Sequence, residues 1–277
     1  MPVIALTQEM GSLAKDVALR LAEVAQLQVL RHEVLEHVAG KLDVPTSLVK
    51  RLREGKAGIV ERFAADPGRV AVYTAQEVYA LASRGNIVLR GWGATCLLRP
   101  VRHAVRVRVT RPFEQRVQWL MDKLDTDDAA MAEAEVRRSD AAHAARMHAQ
   151  FGVTWGDPLL YDVVLNTDRL SIDSCVEQIL HLAGRPEFQE TEASREVLDN
   201  LALESAVRAA LKEQPTTQAV DISIEAVQGR VVLRGIVLTA AESAEAARVA
   251  ATVAGVGKVD NELRLMSITR RFASAKT

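Results

Sequence analysis

The sequence predicts an α/β domain, a mostly parallel sheet with helices on both faces, followed by a separate small α+β unit. Three observations carry that expectation. Val3 to Leu6 is a β-branched and aliphatic run that leads through Gly11 into a segment of helical spacing. Apolar strand-like runs then alternate with amphipathic helical stretches up to about residue 182. After Gly184-Arg185-Pro186 the pattern becomes helix, strand, strand, helix, strand.

In chain order, the first helix is read from Leu13, Val17, Leu21 and Val24, which recur at threes and fours with Lys15, Asp16, Arg20 and Glu23 between them. From about Glu33 to Phe63 the spacing predicts helices broken at Asp43-Val44-Pro45, with Thr46 or Ser47 capping the second. Thr74 to Ser83 is another amphipathic helix, ended by Arg84-Gly85-Asn86 before the buried strand Ile87-Val88-Leu89. Ala104 to Val109 is the next strand. Pro112 opens the helix that runs through Met121, at a turn where its missing N–H does no harm. Ala129 to Gln150, rich in Ala, Glu and Arg, predicts a long, mostly solvated helix pair. Tyr161 to Asn166 is the third buried strand of the domain and Ile172 to Leu182 its closing helix.

The polar stretch 185–196, opened by Gly184 and Pro186, reads as a linker between a domain of residues 1–184 and a unit of residues 197–268, with 269–277 as a tail. In the second unit Asn200 to Leu211 is an amphipathic helix, and Val220 to Val227 alternates like a strand. Gly229 marks a hairpin into Val231 to Gly235. Glu242 to Ala254 is the second helix, stopped by Gly255 and Gly257, and Val259 to Leu265 is the last strand.

Hydrophobic residues at 48% and charged residues at 26% give a chain that can fill a core. With 35 basic against 36 acidic residues there is no global field to draw nucleic acid, and 4% aromatics leave few stacking platforms, so no nucleic-acid partner is expected. Cys96 and Cys175 are not spaced for metal, and the six histidines lack Cys or Glu partners at ligand spacing. No metal site is therefore predicted, and both thiols read as buried and reduced. The N-terminal residues lack the basic start of a signal peptide, and no run approaches the roughly 20 apolar residues of a membrane span. A cytoplasmic location is the expectation.

A glycine turn entering a helix offers backbone N–H groups and the positive end of the helix dipole to an anion. Gly11, Ser12 and Lys15 are the residues of that kind here. A full GxxxxGK(S/T) loop is absent, and Leu13 and Ala14 stand where glycines would let phosphate approach. Read alone, this fragment fits an ordinary strand–turn–helix connection better than a phosphate site.

Three segments together carry more. Thr7-Gln8-Glu9-Met10-Gly11-Ser12-Leu13-Ala14-Lys15 resembles the SREYGSGGR-type opening of the cytidylate-kinase-like family. Leu89-Arg90-Gly91-Trp92-Gly93-Ala94-Thr95-Cys96-Leu97-Leu98 resembles its VGRGAxxLL segment. Phe151-Gly152-Val153-Thr154-Trp155-Gly156-Asp157-Pro158, continued by Tyr161-Asp162-Val163-Val164-Leu165-Asn166-Thr167, resembles its FGxxWxDPxxYDLVINT segment. Order and spacing match from about residue 3 to 182.

The resemblance implies a P-loop kinase-like sheet and the transfer of the γ-phosphoryl group of ATP to CMP or dCMP with Mg²⁺, inside a cage of arginines. On that pattern Gly11, Ser12, Lys15, Arg31, Arg90 and Arg137 are the candidate phosphate-binding residues and Lys15, Arg138, Asp140 and Arg146 the candidate catalytic ones, with Arg137, Arg138 and Arg146 as substitutes whose spacing is not the family's. The chain also departs from the pattern. Trp92 takes the place of an arginine, with Arg90 displaced to the other side of Gly91. The Tyr-Asp-Arg-Glu element is Leu30-Arg31-His32-Glu33, and the lid pattern Asp-x-x-Arg is Asp140-Ala141-Ala142-His143. One arginine finger is worth roughly 10³–10⁵ in rate, so three such changes predict weak or absent catalysis. Arg137, Arg138 and Arg146 also read as surface arginines of a polar helix, with Glu133 and Glu135 as partners. Trp155, Asp157, Tyr161 and Asn166 read either as packing of the last strand or as ligand contacts.

In the C-terminal unit, Val227-Gln228-Gly229-Arg230-Val231-Val232-Leu233-Arg234-Gly235-Ile236-Val237 and Ala254-Gly255-Val256-Gly257-Lys258-Val259-Asp260-Asn261-Glu262-Leu263 resemble the two signature segments of the BON domain. That resemblance implies a binding module for a protein, a small ligand or a membrane surface. The sequence thus predicts a degenerate nucleotide-binding protein (ATP, CMP) joined to a BON module. An active CMP kinase with a cage rebuilt from Arg31, Arg90, Arg137, Arg138 and Arg146, using ATP and Mg²⁺, is one alternative. A scaffold that binds no nucleotide is the other.

Overall fold

The structure, a computed structural model, describes residues 2–30, 32–53, 56, 58, 66–91 and 93–266. The chain divides into two compact units, Met1–Asp199 and Asn200–Thr277.

The first unit is built on five parallel strands: β1 (Val3–Gln8), β2 (Gln28–Leu30), β3 (Ile87–Arg90), β4 (Ala104–Thr110) and β5 (Val163–Asn166), in the order β2-β3-β1-β4-β5. β1 is central and its residues Val3 to Thr7 are all buried, because helices cover both faces of a parallel sheet. Helices α1 (Ala14–Ala25) and α8 (Ile172–Ala183) put Val17, Leu21, Val176 and Ile179 against Ile4, Leu6, Val105 and Val107. Helices α2 (His32–Leu42) and α4 (Pro67–Ala82) pack on each other, and α4 also packs on β3. Between them lies α3 (Thr46–Arg53). Short α5 (Ala94–Leu97) follows β3, and α6 (Phe113–Leu124) and α7 (Ala129–Phe151) lie between β4 and β5. The strand order reverses at β1, which has β3 on one side and β4 on the other. A crevice outside the carboxyl ends of the strands forms at such a switch point.

Several elements differ from the sequence expectation. β2 is an unforeseen edge strand of three residues, too short for any period to show, fixed by its register against Ile87 to Leu89. The stretch 129–151 is one helix, not a pair, since no Gly or Pro interrupts it from the Asp128 cap to Gly152. Ala132, Val136 and Met147 are buried, so it is only partly solvated. α4 begins at Pro67 because the Asp66 carboxylate accepts from the Gly68 N–H at 2.9 Å. The stretch 185–196 holds a 3-10 turn at Pro186–Phe188 and the start of α9 (Glu192–Glu213). Residues 59–63, part of the expected helical run, lie outside the described residues. Cys175 is buried, but Cys96 is only half-buried; burial raises the pKa of both thiols.

In the second unit, β6 (Ser223–Val227) and β7 (Arg230–Val237) form an antiparallel hairpin, and β8 (Lys258–Leu265) pairs parallel to β7. Gln228 and Gly229 have φ 49 and 81, the double left-handed turn whose twist suits a two-residue hairpin. Val207 and Leu211 of α9, with Val249 and Ala250 of α10 (Ala240–Ala251), close one face over Val231, Leu233 and Val237. Thr239 and Glu242 form a capping box at the start of α10. Gly235 has φ 147, and a Cβ there would lie 2.9 Å from Ile222 Cγ2 and 3.3 Å from its Cα. Only glycine fits.

Two stability predictions follow from these contacts. Gly235→Ala should destabilise the C-terminal unit by about 1–3 kcal/mol, through strain and overpacking, measured by urea unfolding of the full chain. In the first unit His103 is buried, with Nδ1 2.8 Å from the Ser194 hydroxyl in the first turn of α9. Burial, against the pull of Glu190, holds its pKa below the ordinary value. The unfolded chain therefore binds the proton more readily, and this contribution to stability is complete above about pH 6.5 and declines as the pH falls below it. The thermal midpoint should drop on acidification, and His103→Gln should flatten that drop.

Candidate functional site

The chain leaves β1 at Gln8, turns through Glu9, Met10 and Gly11, and enters α1 at Ala14. This turn borders a cleft of ≈ 500 Å³, a size suited to a small ligand. Gln8 to Asp16 line one wall, and among the other described residues Lys50, Lys56, Arg90, Trp119, Lys123, Glu135, Ser139 and His143 also line it. Gly11 has φ 78, and a Cβ on it would lie 3.0 Å from both Cα and O of Arg116, so α6 passes directly against the turn. Leu13 caps α1 in the left-handed conformation, φ 59 and ψ 13, without a side-chain cap. The N–H groups of Leu13, Ala14 and Lys15 have no acceptor within the helix, as in any first turn, and point their partial positive charge outward. The Gln8 side-chain oxygen is buried at the cleft wall with no protein hydrogen-bond donor among the described residues.

Beneath the turn lies a charged network centred on Glu9. Its Oε1 takes a 2.5 Å hydrogen bond from Arg108, and its Oε2 takes one of 2.6 Å from the Thr110 hydroxyl. Arg116 Nε stands 3.6 Å from the same Oε2. Arg116 then donates through both terminal nitrogens to Asp140 on α7, at 3.0 and 2.8 Å. Asp140 and Glu9 hold the Arg116 guanidinium charged despite burial. Arg108 also donates to the Trp155 carbonyl at 3.1 Å and lies 4.4 Å from the centre of the Trp155 ring, on which His143 stacks at 4.9 Å. Tyr161 donates to the Trp155 carbonyl at 2.7 Å, and the Trp155 indole N–H reaches Thr7 at 3.4 Å.

The structure brings Gly11, Ser12, Lys15 and Arg90 to the cleft. Asp140 does not line it, because both its oxygens are bound to Arg116. Arg137 is paired with Glu133 at 2.7 Å and lies over Phe113, and Arg138 is paired with Glu135. Arg146 reaches back to the Ala142 carbonyl at 3.4 Å, and burial lowers its pKa. None of these three arginines lines the cleft. Arg31 and Trp92 lie outside the described residues, as does the side chain of His32. Trp155 and Tyr161 are buried packing around Arg108, Asp157 caps the turn Pro158–Leu160, and the Asn166 side chain accepts from the Asp168 N–H.

Residues 3–169 match the model of the Cytidylate kinase-like family, and residues 199–266 match that of the BON domain. The chain belongs to the cytidylate kinase-like family. No curated protein matches the sequence. The crystal structure of an uncharacterized protein from Eubacterium ventriosum is similar in fold, with TM-score 0.53 and 18% identity over 67% of this chain and 100% of that one. Shikimate kinases from Acinetobacter baumannii and Bacteroides thetaiotaomicron align with TM-score 0.41 each, at 16% and 14% identity. They cover 66% and 65% of this chain and 92% and 97% of their own.

Within this cytidylate kinase-like unit the residues that sequence reasoning missed are Glu9, Arg108 and Arg116, together with the cleft lysines Lys50, Lys56 and Lys123. Glu9 sat inside a quoted motif and carried a signal, an acid just before a glycine turn. The arginines stood in an ordinary strand and helix. Removing one partner of a buried ion pair strands the other charge and costs about 3–5 kcal/mol. Glu9→Gln should therefore destabilise the unit by that order, and Asp140→Asn by less, since its carboxylate is partly exposed. Urea denaturation of the two variants checks the ranking.

Proposed function

We propose that the cytidylate kinase-like unit holds a nucleotide by its phosphates at the Gly11–Lys15 turn and transfers phosphate weakly or not at all, while the BON domain directs the chain to a protein, a small ligand or a membrane surface. The observation that carries this reading is the pairing of the arginines. Arg108 and Arg116, both buried, are bound to Glu9 and Asp140, while Arg137, Arg138 and Arg146 do not line the cleft. Phosphoryl transfer depends on positive charge placed around the moving group, and arginines already neutralised by carboxylates do not supply it.

A triphosphate fits what the cleft offers: the amino end of α1, the Lys15 ammonium and further lysines around the rim. An Mg²⁺ ion would come largely on the phosphates and water, as it usually does. Among the described residues no three His, Cys, Asp or Glu side chains converge for a metal. No described helix is long and apolar enough to cross a membrane.

Calorimetric titration with ATP, CMP and Mg²⁺, paired with a coupled ADP-release assay, tests the proposal. ATP should bind, and turnover of CMP should fall orders of magnitude below the ~1–100 s⁻¹ of working kinases. Turnover in that range would show an active enzyme, and no binding at all would show a scaffold. Leu13→Gly should relieve about 1–2 kcal/mol of left-handed strain, raising both the thermal midpoint and the affinity for ATP.

A further inference from the structure

We infer that Lys56 is a phosphate-binding residue of the cleft that Glu135 holds in reserve, so that a bound polyphosphate exchanges with the Glu135 carboxylate. This rests on the reading of the cleft as a phosphate site. Lys56 lies between α3 and α4, Glu135 lies on α7, and both line the cleft. Lys56 Nζ stands 3.0 Å from Glu135 Oε1, so the ion pair joins two walls. Glu135 is shared, since it also accepts from Arg138 Nε at 3.1 Å. Arg138 first, and Lys56 after it, hold its carboxyl below the ordinary carboxylate range.

Two features make this pair exchangeable. The side chains are 40% and 23% exposed, and pairs so placed are worth only about 0–1 kcal/mol. A multiply charged phosphate between Lys15, Lys50 and Lys123 presents Lys56 with more negative charge than one carboxylate does. Lysine is a compact charge on a flexible stem, so it can change partner without losing a fixed fork geometry. The ion pair that ties α6 to α7 is of the opposite kind. Arg116 with Asp140 is two-pronged and the guanidinium is buried.

The test is calorimetric titration of inorganic tripolyphosphate against the full chain, as wild type, Glu135→Gln, Lys56→Gln and the double variant, with thermal midpoints confirming folding. Glu135→Gln should tighten binding by about fivefold, and Lys56→Gln should weaken it by a similar factor. In the Lys56→Gln background, Glu135→Gln should change affinity less than about twofold. An equal gain in both backgrounds overturns the exchange, because Glu135 would then act through Arg138 or the general field. Binding by wild type with no gain in Glu135→Gln also overturns it, and leaves the phosphate reading standing. If neither protein binds tripolyphosphate, both readings fall.

Discussion

The first unit depends on one largely enclosed carboxylate. Glu9 sits between Arg108 and Arg116, with Thr110 on its second oxygen. Burying charge is tolerated only when it is paired and hydrogen-bonded, and here each group is both. Glu9 belongs to the turn after β1, Arg108 and Thr110 to β4, Arg116 to α6, and Asp140, which completes the chain of contacts, to α7. One acid therefore fixes the glycine turn, the neighbouring strand and two helices. The close approach of Arg116 to Gly11 is part of the same constraint, since any side chain on that glycine would push α6 and its arginine out of reach.

The network also sets what the cleft can do. Arg108 and Arg116 cannot be given to a ligand without leaving a carboxylate unpaired in the interior. Among the described residues, the basic side chains that line the cleft are Lys15, Lys50, Lys56, Lys123 and Arg90, beside the backbone of the first turn of α1. The segment from Phe151 to Thr167, the most specific of the three motifs, serves the network as well. Trp155 and Tyr161 enclose Arg108, and Thr167 donates to the Ser12 carbonyl at 3.0 Å.

Much of the fold was legible in the sequence because burial writes itself into the chain. β1, β3 and β4 are buried apolar runs, and the amphipathic helices carry their period, whereas β5, read as buried, is an edge strand in which only Leu165 is buried and Val164 is exposed. The hairpin at Gln228-Gly229 and the stops at Gly255 and Gly257 follow from local backbone preference. β2 was not legible, because three residues carry no period and only pairing with β3 makes them a strand. The single length of α7 is not legible because its buried face shows only as the widely spaced Ala132, Val136 and Met147.

The sequence by itself determined the class of both units, their order, and the glycine turn that leads from β1 into α1, since each follows from patterns among near neighbours in the chain. Tertiary structure alone decided which charges remain available there. Glu9 and Arg108 are 99 residues apart and Glu9 and Thr110 101 apart, so no local pattern records that they meet. A charge read in the sequence is only a candidate, and its role is set by the partner the fold brings to it.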